Sequence, residues 1–130
     1  MIGRITFAVL MLAGSITLTA QQKVSEKEKT LASQVYQAQM SGNDSAFYQA
    51  EEALMDYQKK QKKWEKFYSA WLNRIIYEMN HKNFHRAFTE INLITDDIKE
   101  NGKTEYLYIP NQAMGLYYTS RNYPELGEKY

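Results

Sequence analysis

Cysteine is absent from the 130 residues, which excludes disulfides, thiolate nucleophiles and cysteine metal sites together. Proline and glycine are scarce, at two and six residues, a composition that favours long regular helices over a sheet with many turns. Neither sign of charge dominates. Sixteen Lys and Arg stand against fifteen Asp and Glu, so net charge gives no reason to expect a nucleic acid or an acidic membrane as partner. The length allows at most one domain.

Long apolar runs are also missing. The nearest to one opens the chain, MIGRITFAVLMLAGSITLTA, with a single positive charge at Arg4 and an apolar run from Ile5 to Ala13. A membrane-spanning helix needs about 20 apolar residues, and Gly14, Ser15, Thr17 and Thr19 cut this one short. The order of basic, apolar and small-residue regions is that of a secretory signal peptide, with a cut expected after Ala20. Residues 1–20 are therefore read as a leader and residues 21–130 as the mature domain, exported to the periplasm and carrying no stable membrane span.

What the chain has in abundance is aromatic residues, 11 Tyr, 5 Phe and 2 Trp, and apolar positions at helical spacing. Leu31, Val35 and Ala38 begin one stripe, and Phe47, Ala50, Leu54 and Tyr57 form a second. Between them lies a turn in which Gly42 suits a helix C-terminus and Asp44 or Ser45 an N-cap. Trp64, Phe67, Tyr68, Trp71, Leu72, Ile75, Ile76 and Met79 form a third stripe, broad enough to face two neighbours, and Trp71 and Ile75 are expected in the core. Phe84, Ala87, Phe88, Ile91, Ile94 and Ile98 make the fourth, closed at Gly102. Thr104 caps a fifth helix that either kinks or begins at Pro110, and Pro124 opens a sixth. The fold class is all-α: antiparallel hairpins over about 25–61, 64–101 and 104–130, stacked as a short solenoid.

The second helices of these hairpins start near Phe47, Phe84 and Tyr123, at spacings of 37 and 39 residues. Each opens on an aromatic followed by a small residue: Ala50, Ala87, Gly127. With Met114-Gly115 and Tyr118 in a first helix and Trp71 in another, this pattern resembles the tetratricopeptide repeat. Phrases such as FYQAEEALMDYQ, FTEINLITDDIKENG and YIPNQAMGLYY behind a leader are similar to the periplasmic N-terminal sensor region of bacterial two-component histidine kinases. The resemblance implies an interaction or sensor module that binds a protein, a peptide or an oligosaccharide signal. Kinase activity does not carry over, because the phospho-accepting and nucleotide-binding segments are not in this chain. The alternative is a stand-alone exported scaffold of the same fold.

No catalytic, cofactor-binding or metal-binding residues are expected. There is no G-x-S-x-G nucleophile motif and no phosphate loop. His81 and His85 straddle a turn without a third ligand, Asp96, Asp97 and Glu100 fall on the polar face of a helix, and the lysines of KKQKKWEK read as a solvated helix end. Asp44-Ser45-Ala46 matches a short O-glycosylation sequon. Binding is assigned instead to the concave face formed by first helices, with Tyr68, Asn73, Tyr77, Asn111 and Tyr118 as its expected contacts. The sixth helix is short, so Leu107, Met114, Tyr117 and Tyr118 are expected to be left uncovered. The chain then reads as the front of a longer array, able to self-associate through its incomplete last repeat.

Overall fold

The computed structural model describes the backbone of residues 2–130 and the side chains from residue 20 onward, except those of Gln21 and Pro124. The expected leader therefore falls almost wholly outside the described side chains. Six helices follow one another: α1 (Ile2–Ser41), α2 (Asp44–Lys60), α3 (Trp64–Asn80), α4 (Phe84–Glu100), α5 (Tyr108–Ser120) and α6 (Pro124–Lys129), with a single 3-10 turn at Thr104–Tyr106 before α5. No strand occurs among the described residues. Each helix packs on the next, and α3 also packs on α5, the arrangement of a stack of antiparallel hairpins.

The turns set this arrangement. A residue in the left-handed region stands at Gly42, Lys62, Lys82, Gly102 and Asn122, at φ of 73, 57, 62, 65 and 66°, one every twenty residues. At the last four turns the following amide reaches back five residues, from Lys63 to the Gln58 carbonyl at 2.9 Å, Asn83 to Glu78 at 2.8 Å, Lys103 to Ile98 at 2.9 Å and Tyr123 to Tyr118 at 2.8 Å. The left-handed residue itself bonds the carbonyl three back, which completes a Schellman motif each time. The residue whose amide makes the five-back bond, Lys63, Asn83 or Tyr123, is also the N-cap of the next helix. At the first turn the cap is Asn43, whose side chain accepts from the Ala46 amide at 3.1 Å, and not Asp44 or Ser45, which lie inside α2. Pro110 sits in the first turn of α5, where its missing N–H breaks no bond, so the helix neither kinks nor waits for it.

The repeat is thus forty residues per hairpin, not 37 or 39, because second helices begin at Asp44, Phe84 and Pro124. In that register Phe47 aligns with Ala87 and Gly127. Phe47 and Ala87 are both fully buried, one filling with a ring the place that the other closes with a methyl group. Gly127 meets Gly115 so closely that a Cβ on Gly115 would lie 3.1 Å from the Gly127 carbonyl oxygen. That approach seats α6 on α5 and stacks Tyr130 on Tyr118, with ring centroids 5.7 Å apart. Tyr118 is thereby half-buried, and Leu107, Met114 and Tyr117, packed against the core, are half-buried rather than uncovered.

The core runs between the helix layers through Phe47, Leu54, Phe67, Tyr68, Ile75, Ile91, Ile94, Ile98 and Ile109. Ile75 is fully buried, whereas Trp71 is half-buried at the core's edge, with an indole N–H that meets no acceptor. The basic run is less free than its sequence suggests. Lys63 and Lys66 (3.1 Å) both pair with Glu28 of α1, and the Tyr57 hydroxyl donates to the Val24 carbonyl at 3.2 Å. These contacts tie α1 to the turn between α2 and α3.

Lysine in the left-handed region costs about 1–2 kcal/mol that glycine does not pay, and the greater freedom of glycine in the unfolded chain takes back part of that gain. Lys62→Gly is expected to stabilise the chain by about 0.5–1 kcal/mol, and Gly102→Ala, where φ is 65° and the space is open, to destabilise it by about 1 kcal/mol. Urea unfolding of the two variants checks both signs.

Candidate functional site

The first helices α1 and α3 both pack on α2, and the space between them is a groove of about 440 Å³. Its walls are Ala32, Val35, Tyr36 and Gln39 from α1 and Lys66, Ser69, Ala70 and Asn73 from α3; its floor is Glu51, Leu54 and Gln58 from α2. The floor residues recur at helical spacing on one face of α2, which is why a single helix can supply all three.

The floor is polar where a core should not be. Glu51 is fully buried and Gln58 is 5% exposed. One Glu51 oxygen accepts from the Asn73 side-chain amide at 3.4 Å, while Oε1 of Glu51 and Oε1 of Gln58 meet no hydrogen-bond partner. Leaving a buried acceptor unpaired costs about 1–3 kcal/mol. Burial pushes the Glu51 carboxyl from its ordinary 4.5 up to about 7, against the smaller opposing effects of the Asn73 hydrogen bond and the Arg74 charge.

A second charged cluster lies between α3 and α4. Arg74 forks onto Glu90, with Nε 3.1 Å from each carboxylate oxygen. Arg86 approaches Glu78 at 3.3 Å, and its guanidinium sits 4.3 Å from the centre of the Tyr48 ring. Glu78 is fully buried, and burial together with the neighbouring Glu90 carboxylate drives it up to about 9. Burial also opposes the charge on Glu90, but the Arg74 fork outweighs it and holds that carboxyl below its usual range. Arg86 remains half exposed and Arg74 lines a shallow groove of about 290 Å³, and the ion pairs join α3 to α4.

The five residues expected at the binding face are not brought together. Asn73 lines the α1–α3 groove. Tyr68 and Tyr77 are core residues. The Tyr68 hydroxyl donates to Asp97 at 2.8 Å, while Tyr77 stacks 3.8 Å from Phe47 and donates to Asp44. Both rings were expected on the concave face, but the stripe of α3 is broad enough to turn them toward α4 and α2 instead. Asn111 lines a separate groove of about 410 Å³ between α5 and α6, and Tyr118 is half-buried against Tyr117 and Tyr130. Asp97 is a hydrogen-bond acceptor at the core's edge rather than a freely solvated carboxylate. His81 closes α3 with its ring stacked on Tyr77 and its Nδ1 2.8 Å from the Tyr77 carbonyl.

Glu51 and Gln58 were not among the residues assigned to the binding face. The signal was present: Glu51 lies four residues after Phe47 and three before Leu54, on the apolar stripe itself. No group of His, Cys, Asp or Glu suited to a metal ion occurs among the described residues, and no helix among them is long and apolar enough to cross a membrane. No protein-family model matches the chain, and neither curated proteins nor solved structures give a significant match.

Between pH 4.5 and 7 the folded chain holds a proton on Glu51 that the unfolded chain has released, so stability falls as pH rises through this interval. The loss is on the order of 3 kcal/mol for this group. Glu51→Gln is expected to flatten that part of the profile and to be the more stable protein at pH 8. Parallel pH profiles for the two proteins in urea unfolding would show that Glu51 is not the buried acid described.

Proposed function

We propose that the chain is a non-catalytic helical-repeat interaction module, exported to the periplasm, of the kind that forms the sensing part of a two-component histidine kinase. The observation that carries this reading is the groove between the two first helices, with unpartnered acceptors in its floor and walls of mixed apolar and polar side chains. Such a surface offers recognition rather than reaction: hydrogen-bond acceptors held in place by packing, an aromatic ring at the mouth, and no nucleophile beside a base. Stacked hairpins suit the role, because each contributes one helix to a continuous face and holds it rigidly against its neighbours. The leader-like opening, which supplies the export part of the proposal, is independent of the groove.

One experiment addresses both parts. A photo-cross-linking residue is placed at Ser69, exposed in the groove, or at Asp96, exposed on α4, and the chain is expressed in a Gram-negative host. Protein from the periplasmic fraction is expected to begin at Gln21 by intact mass, and to form adducts from position 69 and not from 96. Protein retaining Met1 in the membrane fraction would overturn the export reading. Equal cross-linking from the two positions would overturn the assignment of the groove as the binding face.

A further inference from the structure

The groove floor alternates along α2 in a way that specifies more than a generic surface. Glu51, Leu54 and Gln58 fall at i, i+3 and i+7, and all three are more than nine-tenths buried. The two outer residues each carry an oxygen with no partner, and the middle one is hydrocarbon. Seven residues of α-helix separate the outer positions by about 10 Å along the axis. Val35 from α1 and Ala70 from α3 continue the hydrocarbon strip on either side of Leu54, and Tyr36, 62% exposed, stands among the groove residues of α1.

The complement of such a floor is a straight aliphatic stem with a hydrogen-bond donor at each end. An ammonium group fits each end because it carries three donors and no acceptor. A hydroxyl or an amide would bring lone pairs of its own into the same buried space. The charges around the floor permit a cation. Arg74 of α3 is the positive charge that acts on Glu51, but it is engaged by Glu90. Lys66, on the wall, is held by Glu28 of α1.

We propose that the α1–α3 groove binds a linear aliphatic diamine or polyamine whose ammonium groups lie about 10 Å apart, one received by Glu51 and the other by Gln58. The proposal rests on the reading of this groove as the ligand face and names the ligand's chemistry. In the empty groove the Glu51 carboxyl, pushed up by burial, holds a proton over part of the neutral range. An arriving ammonium favours the carboxylate, so the O–H bond breaks, the proton leaves to buffer, and binding is accompanied by proton release.

Calorimetric titration of the full chain near pH 6.5 tests this with two probes, diaminoheptane, whose ends are about 10 Å apart, and diaminopropane, which cannot span the floor. Diaminoheptane is expected to bind at least about tenfold more tightly. Its apparent heat should depend on the ionisation enthalpy of the buffer, as proton release requires. Glu51→Gln should weaken binding by about tenfold or more and abolish the buffer dependence, while its melting temperature stays equal or rises. Glu52→Gln, on the exposed face of α2, should bind as the parent chain does. Affinity independent of chain length, or undiminished in Glu51→Gln, would overturn the assignment. So would preferential binding of a lysine-containing peptide, which would give the groove to a macromolecule. Absence of heat from either probe would refute the diamine and leave the cross-linking result at Ser69 to decide the groove itself.

Discussion

A left-handed residue at every twentieth position is the constraint on which the rest of this structure depends. It ends α2, α3 and α4 at the same length of 17 residues and sends the chain back antiparallel, with the residue that follows it serving as the next cap. Once helix length and turn are fixed, the stripes of Phe47, Ile75, Ile91 and Ile109 must meet in one layer. The regularity is achieved with different chemistry at each place: glycine at two turns, where the conformation is free of strain, and lysine or asparagine at three, where packing on both sides imposes it. Local geometry is here held by tertiary contacts as much as by residue preference.

The hairpins were legible in the sequence because their boundaries are marked by Gly42, Gly102 and Pro124 and their interiors by clean helical periodicity. The register was not. Aligning Phe47 with Phe84 on the strength of their rings shifts the first repeat by three residues, since the buried position at the start of each second helix accepts a ring, a methyl group or a hydrogen in turn. Lys62 and Lys82 gave no sign of their conformation, because lysine has no tendency toward it. Residue type therefore located the turns only where the residue was chosen for the turn.

The site was less legible than the fold. Of the five residues assigned to a binding face, only Asn73 lies in the α1–α3 groove. Tyr68 and Tyr77 illustrate the reason: a tyrosine on an apolar stripe can hide its ring and still satisfy its hydroxyl through an acid on the next helix, as Asp97 and Asp44 do here. Three acids run in the opposite sense. Glu51, Glu78 and Glu90 are buried, and their positions on or beside the stripes outweighed their charge. Spacing was a better guide to burial than polarity was.

The twenty-residue unit also governs how such a chain can change in length. One unit is a single helix and reverses direction, so gaining or losing one would exchange the wall-forming helices for the floor-forming helices everywhere downstream. The Glu51 face would then look outward and the apolar strip beside it would be lost. Two units restore the original sense, with every later wall and floor in place. Growth by duplication is thereby confined to even steps, and a recognition groove of this kind can be extended a hairpin at a time without redesigning the part already built.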